Sequence, residues 1–278
     1  MKVLTVSSAK FGVKNVVYNL LSHLTEQDVS CTYLTLPIHE VPENCDEEFL
    51  LSESLLHTLE RFRPLYLGYG IFNFWRCAYR YMATNGTEFD VIWLHNPRLL
   101  PLLPESIENR LLITYHSHLM HRKSDHHSFP TSLYYRLIGQ VEKRGLAKTS
   151  GVRFTVVYEP VLEELRDLDI NPDRITYIGN GVDLNMFHPN TENQSLRHQW
   201  DLPASQILLF LGRLVEEKRP LGLLETFNQL SDLLNNELSL VIAGNGPLES
   251  KAHKFVSQND LQNVRFLGYV DHEKTPSL

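Results

Sequence analysis

The residues best suited to chemistry are Arg213 and Lys218, in the run Gly212-Arg213-Leu214-Val215-Glu216-Glu217-Lys218-Arg219-Pro220. It lies between an apolar strand at 207–211 and a helical pattern with Leu221, Leu224, Phe227 and Leu230 on one face. A glycine at a strand-to-helix turn lets the backbone approach a ligand closely, and the free N–H groups of a new helix favour an anion. Arg213 adds a planar fork of donors and Lys218 a mobile point charge, a pairing that suits a diphosphate. Taken alone, the two cations read first as a strand-end arginine and a solvated lysine.

Two more apolar strands end the same way. The strand at 238–243 runs into Gly244-Asn245-Gly246-Pro247, and the one at 264–267 into Gly268-Tyr269-Val270. Ligands of open α/β sheets bind at the carboxyl ends of the strands. Three successive strands with glycine at those ends predict a nucleotide-type crevice that draws on Gly212, Gly244, Asn245, Gly246, Tyr269 and Val270.

These motifs, with Ile178-Gly179-Asn180-Gly181-Val182-Asp183 ahead of them, resemble those of the retaining glycosyltransferases of family four, which have the GT-B fold. The likeness runs over most of the chain. It implies an α/β protein of two Rossmann-like domains with parallel sheets: an acceptor-side domain at 1–187, a linker at 188–204 and a sugar-nucleotide-binding domain at 205–278. It also implies transfer of a sugar from a nucleoside diphosphate sugar to a hydroxyl acceptor, itself a sugar or lipid-linked, with retention. The nucleotide sugar is substrate, and the family needs neither a further cofactor nor a catalytic metal. By the same resemblance Arg213 and Lys218 meet the diphosphate, and a histidine just beyond a first-domain strand orients the donor sugar. His116 is the matching position and His118 the reserve. The family's spaced pair of glutamates does not occur between Ser205 and Leu278, and that span is shorter than the ~100–150 residues usual for a domain. The resemblance therefore implies a second domain that is truncated, with apolar strand and helix surface left uncovered.

The first domain must position the histidines. Strands at 3–7, 29–36, 91–94, 111–115, 154–157 and 175–178 alternate with helical stretches such as 13–24, which predicts a parallel sheet with helices on both faces. Between 38 and 85 no strand is legible, and one or two inserted helices are expected. If the strand at 111–115 continues, His116 and His118 point the same way. His121, His126 and His127 follow closely, but Asp125 is the one carboxylate and no cysteine is near, so no metal site is predicted.

The first turn, Ser7-Ser8-Ala9-Lys10-Phe11-Gly12, holds one glycine where the family often has two. Gly12 reads either as an acceptor-side contact or as an ordinary turn residue, and Lys10 either as an anion contact or as solvated. Gly181 and Asp183 read as hinge residues, the first permitting positive φ and the second capping the next turn. Tyr158 stands where the family often has serine. Phe62 to Tyr81 interleaves aromatics with Arg61, Arg63, Arg76 and Arg80, which fits a helix packed on the sheet with snorkelling arginines or a peripheral membrane contact.

Composition narrows the class. Across 278 residues, 42% are hydrophobic, enough for two cores. A net charge of −7 argues against a general nucleic-acid binder. Cys31, Cys45 and Cys77 form no CxxC pair and fit a reducing cytosol. The first residues alternate like a strand rather than a signal core, and no run approaches the ~20 apolar residues of a membrane span. A cytoplasmic protein, peripheral at the inner face of a membrane if it meets one, is expected. Two alternatives stay open: a non-catalytic accessory protein of a glycosyltransferase, and a sugar-nucleotide epimerase of the same architecture.

Overall fold

The computed structural model describes residues 1–8, 12–36, 41–49, 70–123, 131–189, 194–202, 206–233 and 238–278. The chain divides into two compact units, Met1–Asn180 and Gly181–Leu278. The described residues of 188–204, a segment read as a linker from sequence, fall within the second unit.

In the first unit β1 (Lys2–Ser7) leads into α1 (Gly12–Glu26) and β2 (Ser30–Thr35), and then into β3 (Asp46–Phe49) and α2 (Ile71–Asn85). The pattern continues through β4 (Val91–His95), β5 (Leu111–Tyr115), the short α3 (Met120–Lys123), α4 (Thr131–Leu146), β6 (Arg153–Val156), α5 (Glu159–Arg166) and β7 (Ile175–Tyr177). The described strands form one parallel sheet in the order β3-β2-β1-β4-β5-β6-β7. Alternation along β1 explains why both faces are covered. Val3 packs with Val17 and Leu21 of α1, whereas Leu4 and Val6 point the other way into a core shared with Phe74, Trp75 and Met82 of α2.

β3 corrects the expectation that 38–85 holds no strand. It pairs with β2 from Thr32↔Asp46 to Thr35↔Phe49 and forms the sheet edge. An edge strand tolerates charged residues, and Asp46-Glu47-Glu48 has none of the apolar alternation that reveals a buried one. Of the aromatic run, 61–69 lies outside the described residues. In the rest, Phe74, Trp75 and Tyr79 are core, and Arg76 and Arg80 are exposed. This is the packed-helix reading for that part of the run.

The second unit contains α6 (Gln194–Gln199), β8 (Gln206–Leu211), α7 (Pro220–Leu233), β9 (Leu238–Ala243), α8 (Glu249–Gln258) and β10 (Val264–Gly268). The described strands form a parallel sheet in the order β10-β9-β8. Leu224 and Phe227 of α7 pack with Leu208 and Phe210 of β8. The alternate residues Leu209 and Leu211 are 40% and 54% exposed. Leu230, placed by the sequence pattern on the same helix face as Leu224 and Phe227, is 37% exposed. Asp183 Oδ1 accepts hydrogen bonds from the N–H groups of Asn185 and Met186, the capping role expected of it. Gly181 is not among the glycines with positive φ, so the reason offered for it does not hold.

Candidate functional site

Each unit gathers its chemistry at the carboxyl end of its sheet. In the first unit the strand order reverses at β1, with β2 on one side and β4 on the other, the arrangement that opens a crevice beyond the strand ends. Ser7 of β1 stands opposite His95 of β4, which stands opposite Thr114 of β5.

His116 follows β5 directly. Its Nε2 lies 2.9 Å from Nδ1 of His95, and its backbone N–H donates to Asn96 Oδ1 at 2.9 Å. Asn96 adopts φ 46°, a left-handed conformation that asparagine tolerates, and its own N–H donates to the Thr114 carbonyl. It thereby joins the ends of β4 and β5.

The strand stops at Tyr115, so the two histidines do not share a direction. The expectation that His116 and His118 face one cleft fails because the backbone bends at 116–117. His118 instead pairs its Nδ1 with Glu164 Oε1 at 2.5 Å and sets its ring edge-on to Tyr158. It lines a cleft of about 650 Å³ with Arg122, Glu159, Glu163 and Asp167. Tyr158, where the resemblance leads one to expect serine, thus acts as a wall for His118.

The 116–120 segment is held by buried acceptors. Glu164 Oε2 takes the Leu119 N–H at 2.8 Å, and Glu142 Oε2 takes the Met120 N–H at 2.7 Å. These carboxylates are 6% and 3% exposed. A buried N–H left without its acceptor costs about 1–3 kcal/mol, so the pair holds the loop that carries His116 in one shape. Sequence reasoning missed His95, Asn96, Glu142 and Glu164. The first two had a signal, as polar residues that end an apolar strand. The glutamates had none, since they look like solvated positions on amphipathic helices.

Burial pushes the His95 imidazole well below its ordinary 6.5, with His116 adding to the effect, and burial lowers His116 to about 4. Between those values the unfolded chain binds protons that the folded chain refuses, so stability falls as pH drops from about 6.5 towards about 4. His116 alone contributes on the order of 3 kcal/mol to this loss. Urea unfolding between pH 7 and 4 is expected to show the decline, and His116→Phe is expected to flatten it. An equal slope in the variant would contradict the assignment.

In the second unit the turns after β8 and β9 are laced together. Gly212 N–H donates to the Ala243 carbonyl, Leu214 N–H to that of Asn245, and Leu248 N–H to that of Leu214. Gly244 N–H donates to the Gly268 carbonyl at 2.6 Å. A Cβ on Gly244 would lie 1.9 Å from the Gly212 carbonyl oxygen, and one on Gly246 would lie 2.5 Å from that of Leu214. These glycines are required first by another stretch of backbone.

The lacing brings together Gly212, Arg213, Gly244, Asn245 and Gly246, with Tyr269 and Val270 following β10. Arg213, Asn245 and Tyr269 are exposed. Lys218 ends a short 3-10 turn, Glu216–Lys218, and is exposed, with no ion-pair partner among the described residues. Arg219 takes φ 51° and α7 begins at Pro220. Of the acceptor-side calls, Gly12 opens α1, whereas Lys10 lies outside the described residues, as do Asp125, His126 and His127. Among the described residues no His, Cys, Asp and Glu group of three or more could hold a metal ion, and no helix is long and apolar enough to cross a membrane.

Comparison with known proteins adds a family context. Residues 12–186 match the model of Glycosyltransferase Family 4, and residues 193–278 that of Glycosyl transferases group 1. A GDP-mannose-dependent alpha-(1-6)-phosphatidylinositol dimannoside mannosyltransferase of Mycobacterium tuberculosis is 35% identical over 74 residues, which is 27% of this chain and 19% of that protein. Among solved structures, WaaG, a glycosyltransferase involved in lipopolysaccharide biosynthesis, aligns with a TM-score of 0.71 at 13% identity, over 99% of this chain and 71% of its own. HepE of Anabaena, in complex with UDP and glucose, aligns at 0.62 and 15% identity, over 100% and 71%. A UDP-N-acetylglucosamine 2-epimerase aligns at 0.56 and 10% identity, over 100% and 71%. At such identities the structural likeness is one of fold.

Proposed function

The chain belongs to glycosyltransferase family 4, and on that premise we propose that it serves transfer of a sugar from a nucleoside diphosphate sugar to a hydroxyl acceptor, with retention at the anomeric carbon. The observation that carries this reading is the pair of laced glycine turns, which hold Gly212 and Gly244 against each other and leave Arg213 and Lys218 exposed beside them. As the bond from sugar to diphosphate breaks, negative charge grows on the leaving oxygens. Fixed cations at that point stabilise the transition state more than the bound donor. Arg213 matches a diphosphate as a fork and Lys218 as a point charge.

Gly212, Gly244, Asn245, Gly246, Tyr269 and Val270 border the nucleotide, and His116 contacts a sugar hydroxyl. The chemistry needs no resident cofactor or metal, since two side-chain cations take the place a divalent ion would fill. The acceptor is a sugar or a lipid-linked hydroxyl met from the cytoplasmic side. Because the matched segment spans 19% of the mannosyltransferase's length, its donor and acceptor are not carried over.

The test is transfer of radiolabel from a panel of UDP- and GDP-sugars to hydroxyl acceptors, with the anomeric configuration of the product read by NMR. Labelled product that depends on acceptor and retains the donor's configuration is expected. Conversion of the nucleotide sugar to its epimer without acceptor would replace the proposal with the epimerase reading that the shared fold admits. Calorimetry without heat for any common nucleotide sugar would overturn donor binding.

A further inference from the structure

Packing on the sheet accounts for one side of α2 and of α4, and the other side of each has a composition of its own. Phe74, Trp75 and Met82 of α2 and Leu146 of α4 share one core with Leu4 and Val6 of β1 and Ile113 of β5. The two helices therefore lie on the same face of the first sheet, and their outer sides point away from it together. The segment 98–102 joins them. Tyr79 of α2 donates from its hydroxyl to the Arg98 carbonyl at 2.5 Å, and Gly145 of α4 sits so close on Leu100 that a Cβ there would overlap it.

The outer side of α4 carries Leu133, Arg136, Leu137, Gln140 and Arg144 at helical spacing, all exposed, and for Leu137 the exposure reaches 61%. That of α2 carries Phe72, Arg76 and Arg80, one turn apart and likewise exposed. Leu102, which ends the joining segment, is exposed too. α2 contains no Asp or Glu, and the one acidic residue of α4, Glu142, is buried and accepts the Met120 N–H. In a chain of net charge −7, these two helices thus show solvent four arginines among apolar side chains and no carboxylate. None of the four enters an ion pair among the described residues. α5, which packs into the same core, has the opposite sign, with Glu159 and Glu163 exposed, and it bounds the cationic surface.

We propose that the outer sides of α2 and α4, with the segment between them, form a surface that docks on an anionic membrane and lies on it without crossing. A solvated face explains the arginines but not the leucines and phenylalanine set among them. A nucleic acid or an acidic protein would meet the cations alone, whereas a lipid layer offers headgroup phosphates to the arginines and acyl chains to the apolar side chains at once. Each helix runs back to the amino end of the strand that follows it, so Phe72 and Leu133, in the first turns, lie toward the carboxyl end of the sheet. His116 follows β5 at that same end. Docking therefore brings the histidine end of the first unit close to the lipid. The surface is read from its own residues; joined to the sugar-transfer reading, on which this last step rests, it selects a lipid-linked acceptor over a soluble sugar.

The test is sedimentation of the whole chain with vesicles of phosphatidylcholine, with and without a minor share of phosphatidylglycerol. Binding to the mixed vesicles that weakens with added salt is expected, and much weaker binding to phosphatidylcholine alone. Arg136→Glu with Arg144→Glu is expected to lower the affinity roughly 25-fold or more, since each cation near an anionic surface is worth about fivefold. Lys251→Glu with Lys254→Glu, at exposed positions of α8 in the second unit, makes the same change in net charge and is expected to leave binding unaltered. Equal losses in the two pairs would make overall charge the cause and overturn the docking surface, as would a parent chain that ignores the mixed vesicles. Leu133→Gln with Leu137→Gln keeps every charge and is expected to cost about tenfold. Undiminished binding in that pair would overturn the lipid as occupant in favour of a soluble polyanion. All these positions are exposed, so urea unfolding of the variants is expected to match that of the parent. Sedimentation needs no nucleotide sugar, so the two readings fail separately: a chain that binds the vesicles and transfers no sugar would uphold the surface and overturn the reaction.

Discussion

Lys218→Ala is expected to lower turnover by about 10²–10³-fold at saturating donor, with a much smaller change in donor affinity. Lys218 is exposed, lies at the end of a three-residue 3-10 turn and has no ion-pair partner among the described residues, so its removal breaks no ion pair among them. Its stability should match that of the unaltered chain, because surface substitutions away from caps and buried networks usually fall within about 0.5 kcal/mol. On the proposed reading, what is lost is a charge that meets the leaving diphosphate, and such a charge acts mainly when the bond is breaking. Initial rates at saturating donor, beside calorimetric titration of the same donor, separate the two effects. Undiminished turnover would remove the central mechanistic claim, whereas weakened binding at unchanged turnover would make Lys218 a binding residue only.

Gly244→Ala is expected to destabilise the second unit by roughly 3 kcal/mol or more, from two sources of about 1–3 kcal/mol each. The first is steric, since the new Cβ would lie 1.9 Å from the Gly212 carbonyl oxygen. Neither backbone can easily give way, because Gly212 N–H is bonded to Ala243 and Gly244 N–H to Gly268. The second is conformational, since φ at Gly244 is +142°, where alanine is strained. Gly222→Ala is the control. Gly222 lies in α7 with nothing within 4 Å of its would-be Cβ, and alanine there should stabilise the helix by about 0.5–1 kcal/mol. Urea unfolding of the two variants is expected to move in opposite directions. A Gly244→Ala protein as stable as its parent would show that the turns are not packed as described.

The laced turns show how far sequence reasoning carried. Strand, glycine and cation were readable at Gly212-Arg213 and Ala243-Gly244 because apolar runs and turn residues are local signals. The purpose of the glycines was not, because the sequence alone suggested that a ligand must come close. In the fold the neighbour is the carbonyl of Gly212, brought there by parallel pairing of β8 with β9. β3 was missed for a related reason: its partner β2 supplies the pairing, and an acidic edge segment has no pattern of its own.

The amino-acid order by itself determined the alternation of strands and helices, the parallel sheets that follow from it, and the placing of Gly212, Arg213, Gly244 and His116 at strand ends, since each depends on neighbours within a few residues. Tertiary structure alone decided that His116 turns to His95 while His118 turns to Glu164, and that two buried glutamates from distant helices clamp the loop between them. Those contacts span 21 to 46 residues of chain. Which partner a histidine or a carboxylate finds over such a distance depends on the order of strands in the sheet and on what the packed helices leave unsatisfied, and neither is encoded in any local stretch.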